Sequence, residues 1–212
     1  MDKAVTLKQM EKTKLVAVVR TRTTEQALRT AEAIIVAGLT NIEITYTVPR
    51  AGEVLRELSF LGDRATIGAG TVLTREQGED ALAAGARFLV SPILEAGLAP
   101  LCREAGAVCV LGGLTPTEVV GARRAGADVV KVFPVDMVGG PRYIKALQGP
   151  LPDTPLLVSG GVGFDNFQEY LKLGVRLVAL GSDLMPTKLV EAGDYQAITD
   201  RARRFVEAVH VL

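Results

Sequence analysis

Short apolar runs recur along this chain, and five of them closely follow a glycine, which in four cases comes directly after an alanine. The clearest cases are Ala37-Gly38 before 41–44, Ala84-Gly85 before 87–90, Ala105-Gly106 before 108–110, Ala125-Gly126 before 128–131 and Leu173-Gly174 before 176–179. A glycine at the end of a helix with a buried strand directly after it is typical of helix-to-strand loops. The glycines are 47, 21, 20 and 48 residues apart. This spacing predicts one unit of about 20 to 24 residues, with two members hidden in the long gaps.

The hidden strands are 66–68 and 156–158, and 15–19 opens the series. Eight strands are therefore predicted, near 15–19, 40–45, 66–69, 87–91, 107–111, 128–133, 155–159 and 176–181. The runs are continuously apolar instead of alternating, which indicates a parallel sheet covered on its outer face. Residues suited to cap helices lie between the strands, at Thr23, Thr74, Thr115 and Asp165.

The predicted fold class is α/β, with one (β/α)8 TIM barrel over residues 1–212 and a short helix before the first strand. The length of 212 residues is at the lower end of the range for such a barrel and leaves little room for a second domain. Eight repeats favour closure of the sheet. An open, doubly wound sheet is the alternative.

Composition narrows the function. Hydrophobic residues make up 48% of the chain and charged residues 23%, as in a globular protein with a large core. Lys plus Arg equals Asp plus Glu at 24 each, so no net field recruits nucleic acid or an anionic membrane. No apolar run is long enough for a membrane span, and the first residues are charged instead of forming a signal core. We expect a cytoplasmic protein with a small-molecule ligand.

Cysteine and histidine usage removes several chemistries. Cys102 and Cys109 are the only cysteines and fit buried, reduced thiols. The sole histidine is His210, next to the end of the chain, which excludes catalytic triads, histidine bases and histidine-bound metals. No metal and no cofactor is predicted.

Lys131 interrupts the apolar run 129–134. A lysine in a buried strand either faces a partner or is kept neutral by desolvation, and the neutral amine is the form that attacks a ketone. Position 131 therefore suits imine formation. The alternative is an outward lysine whose aliphatic stem passes the helices to reach solvent.

Glu43 interrupts the second strand between Ile42 and Ile44, and Thr45 shares its side of that strand. Strands two and six lie across the barrel, and alternate strands fill a common layer, so Glu43 and Lys131 can meet inside. A structural ion pair is the alternative. A buried ion pair is often no more stabilising than apolar residues in the same place, so stability alone gives little reason for two charges in a core. A titratable pair in a cleft is better explained by catalysis.

Two glycine turns suggest an anion site. Ser159-Gly160-Gly161 ends strand seven and Gly181-Ser182 ends strand eight, where such barrels commonly bind phosphate through backbone N–H groups. Either turn by itself could be an ordinary loop between a strand and a helix.

Arg20 ends strand one and Thr71 follows strand three, and together they could hold a carboxylate. Alternatively, Arg20 is a surface cation and Thr71 caps the next helix, and neither binds a ligand.

With these features the chain resembles the 2-keto-3-deoxy-6-phosphogluconate (KDPG) aldolase family, also called the 4-hydroxy-2-oxoglutarate (KHG) aldolases. The resemblance extends over essentially the whole chain, and the Lys131-Val132-Phe133-Pro134 phrase is its most specific part. The other matching segments are 16–20, 42–45, 67–72, 90–92, 159–162 and 181–182.

The resemblance implies a class I aldolase of the Entner–Doudoroff pathway that is metal-independent and homotrimeric. Its substrate would be a phosphorylated keto acid. Lys131 would be the Schiff-base lysine and Glu43 the general acid and base. The implied substrate-binding residues are Arg20, Thr45, Thr71, Pro92, Phe133, Ser159, Gly160, Gly161, Gly181 and Ser182. Some members carry an arginine four residues after the glutamate, where this chain has Thr47, so Arg20 is favoured for the carboxylate.

Three alternatives stay open. A 2-keto-3-deoxy-6-phosphogalactonate aldolase would differ only in the configuration at C4 of its substrate. A phosphosugar isomerase or epimerase would share the phosphate loops but needs no buried lysine. A barrel that binds phosphosugars without turnover would use the same fold and loops.

Overall fold

The computed structural model describes residues 2–209 of the protein. Its centre is a barrel of eight parallel strands. These are β1 (Leu15–Val19), β2 (Asn41–Thr45), β3 (Thr66–Gly70), β4 (Phe88–Val90), β5 (Val108–Gly112), β6 (Val129–Val132), β7 (Leu156–Val158) and β8 (Leu177–Leu180). Each strand pairs with the next, and β1 also pairs with β8, so the sheet is closed. The predicted (β/α)8 barrel is confirmed, and the open sheet is wrong.

Helices cover the outside of the barrel. They are α1 (Lys3–Thr13), α2 (Thr24–Val36), α3 (Ala51–Ser59), α4 (Arg75–Ala83), α5 (Leu98–Ala105), α6 (Pro116–Ala125), α7 (Pro141–Gln148), α8 (Phe167–Lys172), α9 (Thr187–Ala192) and α10 (Tyr195–Val209), with 3₁₀ turns at Gly62–Arg64 and Asp136–Val138. Helix α1 is the short helix predicted before the first strand.

Three of the four predicted helix caps are confirmed. Thr23, Thr74 and Thr115 each accept a backbone N–H in the first turn of their helix. The fourth cap prediction is wrong, because α8 begins after Asn166 instead of Asp165. The Asn166 side chain accepts the N–H of Gly163 and so stabilises the turn before the helix.

The core has two layers because every strand is buried on both faces. One cluster fills the barrel and the larger one lies between strands and helices. The interior cluster consists of Met10, Val16, Phe88, Val90, Val108, Val110, Val129, Leu157, Leu177 and Ala179. Burial on both faces explains why the strands are continuously apolar in sequence.

Helix α1 closes the N-terminal end of the barrel. Its Met10 is fully buried in the interior cluster. The Asn41 Nδ2 amide donates to the carbonyl oxygens of Met10 (3.0 Å) and Leu15 (2.9 Å) and to Thr13 Oγ1 (3.0 Å), which fixes α1 against β1 and β2. The interior is therefore accessible from the C-terminal ends of the strands.

Cys102 and Cys109 are buried free thiols, as predicted. His210 lies outside the described residues. Between residues 2 and 209 there is no helix with the length and hydropathy to cross a membrane.

Candidate active site

A cavity of about 450 Å³ opens at the C-terminal ends of the strands. Active sites of TIM barrels occur at this end, because the loops after the strands converge there. Its lining residues are Val18, Arg20, Thr71, Pro92, Lys131, Phe133, Ser159, Gly160, Gly161, Val162, Ala179, Gly181 and Ser182. Six of the eight strands contribute directly or through the loop that follows.

Lys131 is the buried basic residue of this cavity. Its side chain is only 6% exposed, and the Nζ atom lies 3.8 Å from Glu43 Oε1 and 5.5 Å from the centre of the Phe133 ring. The separation from Glu43 is too long for a direct hydrogen bond and leaves the amine free to react. The outward orientation considered from the sequence is therefore wrong.

Glu43 is completely buried, and neither of its carboxylate oxygens has a hydrogen-bond partner among the described residues. Burial raises the pKa of Glu43 above its ordinary value, and the nearby charges of Lys131 and Arg20 lower it only in part. An unpartnered carboxyl group with a raised pKa can both release and accept a proton under mild conditions. This is the behaviour expected of a general acid and base.

Gly70 creates the space that Glu43 occupies. Strands β2 and β3 pair with Thr45 opposite Gly70, which brings Gly70 close to the Glu43 side chain. A Cβ atom at position 70 would lie 1.9 Å from Glu43 Oε1 and 2.4 Å from its Cδ. Atoms cannot approach so closely, so the carboxyl group can adopt this position only beside a glycine.

The role expected for Glu43 predicts that Gly70→Ala lowers kcat by roughly 10²-fold, because the added methyl group displaces the carboxyl group. Initial rates of cleavage of the phosphorylated keto acid that the resemblance implies would measure the effect, and circular dichroism would confirm the fold. Gly121→Ala on α6 is the matched control, since its added methyl would contact only the tip of Leu94. A folded Gly70→Ala protein with the kcat of the original would contradict this role.

Arg20 extends from the end of β1 over the cavity. Its Nη2 group donates to Thr71 Oγ1 at 3.1 Å. Thr71 has a φ of 54°, in the left-handed region that threonine rarely adopts, and such strain clusters at functional sites. The arginine and threonine therefore form one polar wall of the cavity.

The two glycine turns form another wall. Gly160 and Gly161 have φ values of 88° and 74°, which side chains with a Cβ rarely allow. The backbone N–H groups of Gly161, Val162 and Ser182 donate to no acceptor within residues 2–209. Converging free N–H groups bind an anion without any cationic side chain. Among the lining residues, Arg20 and Lys131 are the only cations.

Ten of the twelve predicted site residues line the cavity. The other two are Glu43, directly behind Lys131, and Thr45, which is fully buried and donates to the Val19 carbonyl oxygen at 3.1 Å. The apolar lining residues Val18, Val162 and Ala179 are not among the predicted site residues, because such residues are typical of any strand or turn in a barrel of this kind. Gly70 is not among them either, since its role depends on the side chain of a neighbouring strand.

A buried lysine beside an unpartnered glutamate, at the C-terminal end of a TIM barrel, is the arrangement expected of an aldolase that works through an imine. The chain belongs to the KDPG and KHG aldolase family, whose model matches residues 7–201.

Curated relatives and a solved structure agree with this membership. The chain is 31% identical to the 2-dehydro-3-deoxy-phosphogluconate aldolase of Treponema pallidum, with 96% of this chain and 97% of the relative covered. It is 38% identical to a protein of Rhizobium meliloti named probable 2-dehydro-3-deoxy-6-phosphogalactonate aldolase, with 85% of each chain covered. The structure of KDPG aldolase from Legionella pneumophila, with pyruvate captured as a covalent carbinolamine, superposes with a TM-score of 0.85 at 29% identity and covers 93% of this chain and 96% of that one.

Proposed function

We propose that this protein cleaves 2-dehydro-3-deoxy-6-phosphogluconate into pyruvate and glyceraldehyde 3-phosphate through an imine on Lys131. The observation that carries the proposal is the Lys131 amine at the cavity, 3.8 Å from the unpartnered carboxyl group of Glu43. A substrate carbon bonded to Nζ brings its own hydroxyl group within reach of that carboxyl group. Pyruvate bound covalently in the Legionella pneumophila relative is consistent with the same chemistry.

The first stage forms the imine. The Lys131 amine adds to the C2 ketone and gives a carbinolamine. Glu43 delivers a proton to the C2 hydroxyl group, water leaves, and a protonated imine remains. The positive nitrogen then serves as the electron sink, which is the role that a Lewis acid has in metal-dependent aldolases. We therefore propose metal-independent catalysis.

The second stage breaks the carbon skeleton. Glu43, now ionised, takes the proton of the C4 hydroxyl group. The C3–C4 bond breaks, its electron pair passes to the imine, and glyceraldehyde 3-phosphate leaves an enamine behind. Protonation of C3 and hydrolysis of the C–N bond release pyruvate and restore the amine.

The substrate ends match the polar walls of the cavity. Arg20 and Thr71 would hold the pyruvyl carboxylate through charge-assisted hydrogen bonds. The free N–H groups of the Gly160 and Ser182 turns would hold the phosphate. Pro92 and Phe133 would pack against the carbon chain between them.

Reductive trapping tests the proposal. Borohydride added with pyruvate is expected to attach one reduced pyruvate to the protein, and peptide mass spectrometry is expected to place it on Lys131. No adduct, or an adduct on another lysine, would refute the imine mechanism. Pyruvate release from substrate that persists in the presence of a chelator would separate this aldolase from a metal-dependent enzyme and from an isomerase or epimerase.

A second candidate differs in the configuration at C4. The relative from Rhizobium meliloti, at 38% identity, is named for the phosphogalactonate substrate. The two sugar acids differ by the direction of one hydroxyl group, so a single hydrogen bond in the cavity separates them. A coupled assay for pyruvate with both phosphorylated acids and with 4-hydroxy-2-oxoglutarate ranks the three by kcat/KM.

We also propose that the protein acts in the cytoplasm as a homotrimer of single-domain chains, as the family resemblance implies. Sedimentation velocity measures the assembly directly. A monomer at micromolar concentration would contradict it.

A further inference from the structure

The Arg20 guanidinium group contacts two threonine hydroxyl groups at once. Its Nη1 atom donates to Thr47 Oγ1 at 3.0 Å and its Nη2 atom donates to Thr71 Oγ1 at 3.1 Å. A guanidinium group has five N–H donors, so several are left for a bound anion. Arg20 is an exposed residue, and a long side chain at the surface is mobile unless other groups fix it.

Thr47 belongs to a chain of hydrogen bonds whose direction is determined. Thr45 Oγ1 donates its only proton to the carbonyl oxygen of Val19 at 3.1 Å. Thr45 Oγ1 also lies 2.8 Å from Thr47 Oγ1, so Thr47 must be the donor in that contact. The Thr47 oxygen is then free to accept from Arg20.

The chain of hydrogen bonds thus runs from Arg20 through Thr47 and Thr45 to the backbone of β1. It ends at Val19, the residue directly before Arg20, and so forms a closed ring. Thr45, which is fully buried, gives the ring a rigid base. Each bond polarises the next, which strengthens the hold on the guanidinium group.

We propose that Thr47 is a positioning residue that sets the specificity for an anionic carbonyl substrate by fixing the orientation of Arg20. This proposal rests on the proposed function, because it takes the carboxylate of the substrate as the group that Arg20 binds. Without Thr47, Arg20 keeps only its bond to Thr71 and must be ordered by the substrate. That ordering costs binding free energy for the carboxylate and leaves the reacting groups unchanged.

Thr47→Val tests the proposal, since valine keeps the shape of threonine and removes both hydrogen bonds. The measurement is borohydride trapping at Lys131 as a function of ligand concentration, with pyruvate and with its uncharged amide, pyruvamide. We expect the half-saturating pyruvate concentration to rise roughly 10-fold, the usual effect of losing one hydrogen bond to a charged group. The half-saturating concentration of pyruvamide is expected to change less than about twofold, and so is the kcat at saturating substrate.

Two further variants sharpen the result. Thr47→Ser keeps the hydroxyl group and is expected to restore the original value for pyruvate. Thr24→Val is the matched control, because it removes a hydroxyl bond of similar length, 2.9 Å to the Pro49 carbonyl oxygen, that does not involve Arg20.

The outcomes separate this proposal from the proposed function. If the unaltered protein forms no adduct at Lys131, the aldolase proposal fails. If it does form the adduct but Thr47→Val binds pyruvate equally well, Thr47 does not position Arg20. An equal loss for pyruvate and pyruvamide also overturns the proposal, since Thr47 would then support the shape of the cavity and not the charge.

Discussion

Lys131→Met is expected to abolish pyruvate release from the phosphorylated keto acid. Methionine has a similar length and no amine, so no imine forms and the electron sink for C3–C4 cleavage is lost. Removal of an essential covalent group lowers kcat by roughly 10⁴-fold or more. The coupled assay for pyruvate measures this loss, and borohydride with pyruvate should no longer label the protein.

The fold should survive this change. The Lys131 side chain is 6% exposed and lies on β6 among apolar neighbours, so an apolar residue of the same length is well tolerated there. Lys145→Met on the exposed face of α7 is the control and should leave kcat unaltered. Pyruvate release by Lys131→Met at the rate of the original protein would rule out the imine mechanism. If the original protein shows no turnover, and Lys131→Met binds the phosphosugar as well as the original does, the non-catalytic barrel is favoured.

The barrel could be predicted from sequence because its determinants are local. A glycine after the helix and an apolar run after that glycine mark five of the repeats, and their spacing places the others. Every observed strand lies within one residue of its predicted range. The error at Asp165 has a local cause as well. Asp165 and Asn166 are both residue types that suit a cap, and the Asn166 side chain bonds to Gly163 in the preceding turn and not to the helix. The start of this helix therefore depends on the path of that turn.

The buried pair of Lys131 and Glu43 could also be predicted, since a charged residue within a buried strand has few explanations. The groups that support the pair could not. Gly70 matters because the register of β2 and β3 brings Glu43 against it. In the sequence, Thr47 is noticeable only because some family members have an arginine at this position. Its contact with Arg20 joins residues that are 27 positions apart. Such contacts follow from tertiary geometry and not from residue type.

Glu43→Gln is the second change with a very large expected effect. Glutamine has nearly the same shape but can neither accept nor deliver a proton, so we expect kcat to fall by roughly 10²- to 10⁴-fold. Reductive trapping of pyruvate should become slow but remain at Lys131, since the amine is still present. Glu57→Gln, on the exposed side of α3, is the matched control and should behave like the original protein.

The pH profile identifies Glu43 more directly than the loss of rate. Glu43 must be ionised to take the C4 hydroxyl proton, and the pKa of the ligand-free protein governs kcat/KM, so kcat/KM should fall as the pH drops through the pKa of Glu43. Because burial raises the pKa of Glu43 from 4.5, this acid limb should lie above pH 4.5. The Arg20 charge partly lowers that pKa, so Arg20→Met should move the limb to higher pH. A limb that stays in place in Arg20→Met, or that persists in Glu43→Gln, would assign the titration to another group.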